Sequence, residues 1–462
     1  MNTASSGLPE DLGTPGRHVL LSGGAILSMD PQTGDFATGD LLIEGGKIAA
    51  VGPRLECADA FVIDATGMIV MPGFIDTHHH QFETPLRGLL ADGLLSNDGR
   101  PHGTLNYSDY VLQRLTKVFR PQDVYISELL GSLAQLDAGV TTVMDVSQIH
   151  HSPEHSDAAV DALKHAGRRS VLGYFEGAFD RSLYPIDAHR LRAAHFSSND
   201  QLLTMAMGGE IYLPGHEQAW AIGRDLDLPI ALHVVGAFGM TAPFEQLAAG
   251  GHFGPDNIFI HMTGMSDTAW LAVVEAGARI SLSVPIEMTM RHGTPPILKA
   301  LEYGLQPSLS SDVECTMSAD FFTQMRAAFT LQRCLVNEAA LRGQSDLPEL
   351  LTSRDVIRFA TVEGAKCLRL DRKVGSITPG KDADIILLDA TAINVAPLNF
   401  VPGAVVTLMD RSNVDTVMVA GNVRKWRGNL LAGDLAKHRR ELEATRDYIF
   451  DKAGIEQDLF RI

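Results

Sequence analysis

The stretch IVMPGFIDTHHH, residues 69–80, decides the fold of this 462-residue chain. It begins with apolar residues typical of a buried strand and ends with three consecutive histidines. Because side chains alternate between the two faces of an extended strand, His78 and His80 point to one side and His79 points to the other. Two imidazoles in this arrangement can bind one metal ion, whereas residues two apart on a helix diverge. Taken alone, the stretch also fits a surface histidine cluster.

Strand-like and helical segments alternate after this stretch. The helical candidates include residues 123–136, 157–166 and 267–276. The apolar, strand-like segments between them are residues 140–146, 169–174, 203–207, 229–235, 257–261, 278–284 and 306–310. About eight such units over roughly 240 residues match the size and rhythm of a (β/α)₈ barrel of the α/β class. A doubly wound open sheet is the alternative.

The two ends of the chain share a different pattern, with short strands separated by turns. Residues 18–51 predict a strand and a hairpin, and residues 383–388, 404–409 and 416–419 predict further strands. One small β-sandwich domain built from both termini, with the barrel inserted, accounts for both ends. The predicted boundaries are an N-terminal β-part at 1–68, the barrel at 69–370, a C-terminal β-part at 371–430 and a terminal helix at 431–462.

Polar residues close several of the later predicted strands. His233 and His261 each lie at the end of a nearly continuous apolar run, and Asp312 follows the last strand. The carboxyl ends of all eight strands meet at one mouth of a barrel, so these residues are expected to join His78 and His80. Three imidazoles and a carboxylate suit one divalent cation, Zn²⁺ before Fe²⁺ or Mn²⁺. A lone histidine of this kind is more often structural, and a lone aspartate can cap a helix, so the prediction rests on the whole set.

Composition and charge exclude several classes of protein. The formal net charge of −18 argues against nucleic acid or an anionic membrane as a partner, because both would repel the chain. The four cysteines form no CxxC pair and no disulfide framework. No apolar run approaches the roughly 18 residues of a membrane helix. The polar first residues do not resemble a signal peptide, which favours the cytoplasm.

Several motifs resemble those of the amidohydrolase superfamily. MPGFIDTHHH at residues 71–80 resembles its first-strand motif, and LRG at 86–88 resembles the branch of chlorohydrolases and of cytosine, guanine and S-adenosylhomocysteine deaminases. GSITPGKDAD at 375–384 and VMVAG at 417–421 resemble segments of its C-terminal β-part. The resemblance spans nearly the whole chain and implies a metal-dependent hydrolase. It leaves a homodimer or a higher homo-oligomer open.

The resemblance also implies a role for each strand-end residue. His78 and His80 correspond to the first-strand metal ligands, and His233 corresponds to the fifth-strand ligand. His261 corresponds to the catalytic histidine that holds the attacking water or the substrate. Asp312 corresponds to the eighth-strand residue that binds the metal and accepts the proton of the water. We find no bridging lysine, so one metal ion per chain is expected.

The chain departs from the family at the fifth strand. Deaminases of this branch usually have His-x-x-Glu there, and the glutamate passes a proton to a ring nitrogen. This chain has HVVG at residues 233–236, so that glutamate is missing. Glu210, Glu287 and Glu314 are candidates to replace it, although a binding or structural role fits each of them better.

Residues near the predicted metal ligands are candidates for contact with the substrate. Some follow the metal pair in the sequence and others lie in the loop after the seventh strand, whereas His79 is expected to face the barrel wall. The predicted substrate contacts are Gln81, Arg87, Glu210, Glu287, Arg291 and His292.

The expected reaction is hydrolysis at an electrophilic carbon that bears nitrogen. The first hypothesis is an amino-substituted heterocycle that loses ammonia or an amine. The second is a cyclic or linear amide, for which the missing glutamate is no loss. The third is a non-catalytic relative that binds a small molecule, and five convergent ligand-type residues argue against it.

Overall fold

Two β-sheets organise the chain in the computed structural model, which describes residues 8, 12–177, 183–198 and 200–460. The strands are β1 (His18–Ile26), β2 (Phe36–Glu44), β3 (Lys47–Gly52), β4 (Phe61–Asp64), β5 (Met68–Pro72), β6 (Phe74–His79), β7 (Val140–Ser147), β8 (Arg169–Tyr174), β9 (Leu203–Met207), β10 (Ile230–Val235), β11 (Asn257–Thr263), β12 (Arg279–Leu282), β13 (Ser308–Leu309), β14 (Ile385–Asp389), β15 (Val414–Val419), β16 (Asn422–Trp426) and β17 (Asn429–Leu430).

Most helices lie in the part of the chain that contains the barrel. The α-helices are α1 (Pro121–Asp137), α2 (Pro153–Ala166), α3 (Ala188–His195), α4 (His216–Asp225), α5 (Thr241–Ala249), α6 (Asp267–Ala276), α7 (Val284–Thr289), α8 (Ile297–Glu302), α9 (Phe321–Leu341), α10 (Ser353–Arg358), α11 (Gly364–Cys367), α12 (Val401–Thr407) and α13 (Leu435–Ala453). Shorter 3₁₀ or π segments lie at Gln81–Leu86, Ser108–Leu115, Thr116–Val118, Gly236–Phe238, Arg411–Asn413 and Phe359–Glu363.

Strands β6 to β13 form a parallel barrel in sequence order. The first and last strands meet through a bridge between His79 and Asp312, where the backbone N–H of Asp312 donates to the carbonyl of His78 over 3.0 Å. The backbone N–H of His80 donates to the carbonyl of Asp312 over 2.9 Å. The predicted (β/α)₈ barrel is thereby confirmed, and the open sheet is excluded.

An apolar core fills the barrel beneath these closing contacts. Ile75, Met144, Val171, Ala206 and Ile258 come from five strands and are buried together. Each large side chain of this kind stabilises the fold by about 1.5–3 kcal/mol when it leaves water. The packed interior leaves the carboxyl ends of the strands as the place where polar side chains gather.

The other nine strands form one mixed sheet from both ends of the chain. β5 lies between β1 and β14, so N-terminal and C-terminal strands are direct neighbours, as the composite β-domain predicted. The backbone N–H of Ile48 in β3 donates to the carbonyl of Lys381 over 2.8 Å, which brings the far edge of the sheet back to the C-terminal part. The predicted sandwich is therefore one folded sheet around a shared apolar core.

The chain changes from one sheet to the other at Gly73. A Cβ at this position would lie 2.2 Å from the side chain of Thr141, so the close passage requires glycine. Because β5 belongs to the mixed sheet, the barrel begins at Phe74, a few residues after the predicted boundary at 69.

The sequence predicts a strand at residues 404–409, and this prediction is wrong because helix α12 (Val401–Thr407) occupies most of the segment. Pro402 in the first turn favours a helix start there. A short apolar run that is buried on all sides fits a strand and a helix equally well, so its sequence does not separate the two. Among the described residues, no helix is both long and apolar enough to cross a membrane.

Candidate active site

Five side chains from four regions of the barrel converge at its mouth. His78 is the penultimate residue of strand β6 and His80 directly follows the strand, and the Nε2 atoms of the two rings are 2.9 Å apart. His233 of β10 places its Nε2 3.1 Å from that of His78. The Oδ1 of Asp312 lies 3.6 Å from Nε2 of His78 and 3.7 Å from Nε2 of His80, and its Oδ2 lies 3.6 Å from Nε2 of His261. The structure thus brings together all five residues that the sequence singled out.

The arrangement of these donor atoms fits a single divalent cation. Every imidazole turns the same atom, Nε2, toward the common centre. Four ligands at about 2.0–2.1 Å around a tetrahedral Zn²⁺ lie about 3.3 Å from one another. The distances from His78 to His80, His233 and Asp312, at 2.9, 3.1 and 3.6 Å, are close to this spacing. Nitrogen and carboxylate oxygen are also ligand types that Zn²⁺ accepts.

The opposite ring nitrogen of each histidine is held by a hydrogen bond. Nδ1 of His80 donates to the carbonyl of Val146 over 3.0 Å, and Nδ1 of His78 lies 3.5 Å from the hydroxyl of Ser283. Nδ1 of the remaining two histidines bonds to a buried carboxylate, Glu210 for His233 and Glu287 for His261. A hydrogen on Nδ1 leaves the Nε2 lone pair free for a ligand bond.

Burial and mutual repulsion favour the uncharged form of three of the four imidazoles. Burial lowers the pKa of His78, His80 and His261 well below the ordinary value, and neighbouring imidazoles add to the effect. Burial also lowers the pKa of His233, but the adjacent Glu210 outweighs it and leaves that pKa raised. Burial raises the pKa of Asp312 to about 7, although His233 opposes the shift. A bound cation would favour the deprotonated form of every one of these groups.

The backbone at the site is strained. His261, Met262 and Asp312 adopt positive φ angles of 73°, 53° and 62°, in the left-handed region that non-glycine residues rarely occupy. Such conformations cost about 1–3 kcal/mol each and persist where the surrounding structure enforces them. Two of the three are residues that the sequence assigned to catalysis.

Five of the six predicted substrate contacts do not line the cavity at the barrel mouth, namely Gln81, Arg87, Glu210, Glu287 and Arg291. Gln81 is fully buried behind β6, where its amide bonds to Glu128, Ser132 and Arg168. Its polar atoms are therefore already paired inside the protein, so we correct the prediction that Gln81 contacts the substrate.

The two arginines of that set also have other partners. Arg87 forms an ion pair with Glu314 at 2.8 Å. Arg291 donates to Asp98 over 3.0 Å and to the carbonyl of Pro101 over 2.7 Å, which holds a loop in place. Neither arginine lines the cavity at the barrel mouth. The contacts predicted for Arg87 and Arg291 are corrected accordingly.

None of the three glutamates weighed as a replacement for the missing fifth-strand glutamate faces the cavity. Glu210 and Glu287 bond to histidines and do not line it, and Glu314 is paired with Arg87. The replaced position itself is closed, since a Cβ on Gly236 would lie 2.3 Å from the carbonyl oxygen of Gly264. The backbone therefore occupies the space that a glutamate would need.

A cavity of about 420 Å³ opens above the five residues. His292 lines it, as predicted for a substrate contact, and its ring lies 4.6 Å from that of His261. His79 lies on the other face of the strand, as expected, with Nδ1 2.9 Å from the carbonyl of Asp312. The volume is within the range of small-molecule sites.

Sequence reasoning missed several residues that line this cavity. Tyr107, Gln148 and Tyr212 reach it from loops after three different strands, and no motif marks them. The hydroxyl of Tyr107 donates to the buried carboxyl group of Glu83. Burial raises the pKa of Glu83 to about 8, although the hydrogen bond from Tyr107 opposes this shift.

A second group of metal-ligand type lies in the β-domain. Nδ1 of His18 is 3.0 Å from a carboxylate oxygen of Asp59, and the sulfur of Cys57 is 3.1 Å from the other oxygen. Asp59 is exposed, in contrast to the buried cluster of the barrel.

Comparisons with known proteins agree with this architecture. A 5′-deoxyadenosine deaminase of Methanosarcina mazei is 26% identical over 424 residues, 88% of this chain and 92% of that protein. The structure of an adenosine deaminase from Xanthomonas campestris with bound zinc superimposes with a TM-score of 0.81 at 21% identity, and covers 95% of this chain and 100% of that one. The structure of an atrazine chlorohydrolase from Arthrobacter aurescens complexed with zinc gives a TM-score of 0.79 at 21% identity. It covers 93% of this chain and 100% of that one.

The profile of the amidohydrolase family matches residues 69–210 and 226–424, which together span the barrel and most of the C-terminal strands. The match includes His78, His80, His233, His261 and Asp312. The chain belongs to the amidohydrolase family.

Proposed function

We propose that the protein deaminates an uncharged, amino-substituted heterocycle of the nucleoside type. The observation that carries this proposal is the convergence of four imidazoles and one carboxylate beneath a cavity of about 420 Å³. Relatives named deaminases of adenosine derivatives support the choice of a carbon–nitrogen bond.

One divalent cation, Zn²⁺ first, is proposed as the cofactor. His78, His80, His233 and Oδ1 of Asp312 would hold it. When bound, such a cation lowers the pKa of water toward about 7 and so supplies a nucleophile at neutral pH.

The two oxygens of Asp312 face different partners, and this suits the residue for proton transfer. Oδ1 lies toward His78 and His80, whereas Oδ2 lies toward His261. Oδ2 can therefore accept a proton from the attacking water and pass it to the departing nitrogen. His261 stands beside that oxygen and can orient the water or stabilise charge on the oxygen that is added to the carbon.

The walls of the cavity indicate the shape of the substrate. The lining includes the apolar side chains of Leu95, Phe238 and Met290 and the polar side chains of Tyr107 and Gln148. A flat heterocycle can pack on the apolar surfaces and place its polar edge on the tyrosine and the amide. The name of the Methanosarcina mazei relative gives 5′-deoxyadenosine as its substrate, and this molecule is an uncharged nucleoside with a flat amino-substituted ring.

A screen of the zinc-loaded protein tests the proposal. We would incubate it with 5′-deoxyadenosine, adenosine, an aminotriazine and a cyclic amide, and measure ammonia release and the mass of each product. Release of ammonia from a nucleoside, with oxygen in place of the amino group, is expected. Turnover of the cyclic amide alone would replace the proposal with amide hydrolysis. Tight binding of a nucleoside without turnover would show that the protein is a non-catalytic binding protein.

A further inference from the structure

We propose that the two buried glutamates behind the histidines have different tasks: Glu210 positions His233 and sets the affinity for the cation, whereas Glu287 positions His261 and affects turnover alone. Both are positioning residues, because each acts through an imidazole. The inference rests on the proposed metal site, and it concerns which of the two histidines is a ligand.

Glu210 holds His233 at two points. One carboxylate oxygen bonds to Nδ1 of the ring, and the other accepts the backbone N–H of the same residue over 3.0 Å. Glu210 is itself fixed, since its backbone N–H donates to the carboxylate of Glu176 over 2.7 Å. The preceding Gly209 has a φ of 158°, and a Cβ there would lie 2.2 Å from the indole nitrogen of Trp220. The turn that presents Glu210 therefore has little freedom.

This clamp determines where Nε2 of His233 points. That atom lies 3.1 Å from Nε2 of His78, at the centre of the proposed ligand set. A carboxylate on Nδ1 fixes the tautomer and makes the opposite nitrogen a stronger donor to a metal. His80 has the carbonyl of Val146 in the same position and His78 has the hydroxyl of Ser283, so His233 is the proposed ligand with a carboxylate behind it.

Glu287 is bonded differently. Its Oε1 is shared between Nδ1 of His261 at 3.1 Å and the backbone N–H of Ser283 at 2.8 Å. Its Oε2 is buried and has no hydrogen-bond partner within the described part of the chain. Nε2 of His261 faces Oδ2 of Asp312, the oxygen that does not face His78 and His80. The geometry points to an orienting role at the proton-transfer side of the site.

Metal affinity separates the two glutamates without any need for a substrate. We would remove the metal from Glu210→Gln, Glu287→Gln and the wild type, and titrate Zn²⁺ back in competition with a chromophoric chelator. Glu210→Gln is expected to raise the Kd by about 10- to 100-fold, the usual cost of losing such a partner. Glu287→Gln is expected to stay within about threefold of the wild type, and at saturating Zn²⁺ to lower kcat on a substrate found by the screen.

Glu314→Gln is the matched control, because it makes the same chemical change in a carboxylate that pairs with Arg87 away from the cavity. It should leave the Kd for Zn²⁺ unchanged. If Glu210→Gln does not fold, as judged by circular dichroism, Glu210→Asp keeps the charge but is too short for both bonds, and should weaken Zn²⁺ binding in the same direction.

Two results would overturn the inference. If Glu287→Gln weakens Zn²⁺ binding as much as Glu210→Gln does, His261 is a ligand of the cation. If the Kd for Zn²⁺ is unchanged in both Glu210 variants, Glu210 serves only in packing. A protein that shows the expected difference in Zn²⁺ affinity but deaminates nothing in the screen would keep this inference and lose the proposed function.

Discussion

Strand β6 contributes to two buried polar clusters, and they differ in whether an arginine of the protein supplies the cation that faces their carboxyl groups. Behind the strand, the Arg168 network consists of Asp76, Gln81, Glu128, Gln135 and Arg168. Its guanidinium donates to both glutamine amides, which in turn donate to the two carboxyl groups. The guanidinium thus reaches the carboxyl groups through two amides, and only Oε1 of Glu128 and Nε of Arg168 have no hydrogen-bond partner among the described residues. The network therefore holds its own cation without a ligand.

The second cluster, at the barrel mouth, faces the opposite way. His78, His80 and His233 direct lone pairs at one another, and Asp312 adds a carboxylate. No lysine or arginine of the described residues forms an ion pair with Asp312, whose charged-group neighbours are histidines. The contrast teaches that buried charge alone does not identify a site. A cluster in which several imidazole nitrogens and a carboxylate face one centre, without a lysine or arginine among them, suits a bound metal cation.

The largest effect is expected when the mouth cluster loses a ligand. His78→Ala or Asp312→Asn should lower kcat/KM by at least about a thousandfold, equivalent to about 4 kcal/mol, while the fold is kept. Steady-state kinetics and circular dichroism measure the two consequences. His102→Ala, an exposed histidine, is the control and should behave as the wild type. Near-normal turnover by both site variants would contradict the proposed mechanism.

Loss of the guanidinium should unfold the protein more easily. Arg168→Met leaves the carboxyl groups of Asp76, Glu128 and Asp145 buried without their cation, and is expected to lower the free energy of unfolding by about 3–5 kcal/mol. Urea denaturation measures this change. Arg87→Met, which breaks a partly exposed ion pair, should cost no more than about 1 kcal/mol. Equal losses in the two variants would show that the Arg168 network is not a unit of stability.

The two clusters also show what a sequence can predict. Alternation along a strand separates His78 from His79, and strand ends locate His233 and Asp312, because both rules depend on local pattern alone. The role of Gln81 could not be read in this way. Its partners come from helix α1 and from Arg168, the residue before strand β8, and only the folded chain brings them together.

The same limit applies to the fold and to the cavity. The repeated rhythm of strands and helices predicts the barrel, since eight units reinforce one another. A single apolar run such as residues 404–409 has no such support, and it folds as part of helix α12. Tyr107 follows a long irregular segment without a motif, so nothing in the sequence placed it at the cavity.

A buried histidine outside both clusters gives a smaller, pH-dependent effect. Burial lowers the pKa of His150 to about 3, with His151 and His155 adding to the shift. Below about pH 6.5 the unfolded chain takes up a proton that the folded chain does not, so stability is lost as the pH falls. Between pH 7 and pH 5 the loss from this group is about 2 kcal/mol.

His150→Asn should therefore lose less stability than the wild type over this range, as measured by urea denaturation at each pH. The exposed His102→Asn should give a curve parallel to that of the wild type. If the curve of His150→Asn is also parallel, His150 is protonated in the folded protein and the expected effect is absent.

The smallest effect is expected at Arg291, which the sequence placed at the substrate. Because it is bonded to Asp98 and Pro101, Arg291→Ala should change kcat/KM by less than about threefold, or about 0.6 kcal/mol. The neighbouring His292 lines the cavity, and His292→Ala should lower kcat/KM by at least about tenfold. A larger loss of kcat/KM in Arg291→Ala than in His292→Ala would show that Arg291 contacts the substrate after all.

Anomalous diffraction at the zinc edge, from crystals grown with Zn²⁺, tests most directly whether the mouth cluster gathers around a cation. We expect one strong peak about 2.0–2.2 Å from Nε2 of His78, His80 and His233 and from a carboxylate oxygen of Asp312. No peak at the barrel mouth, or a peak confined to the exposed group of His18, Cys57 and Asp59 described above, would contradict the account.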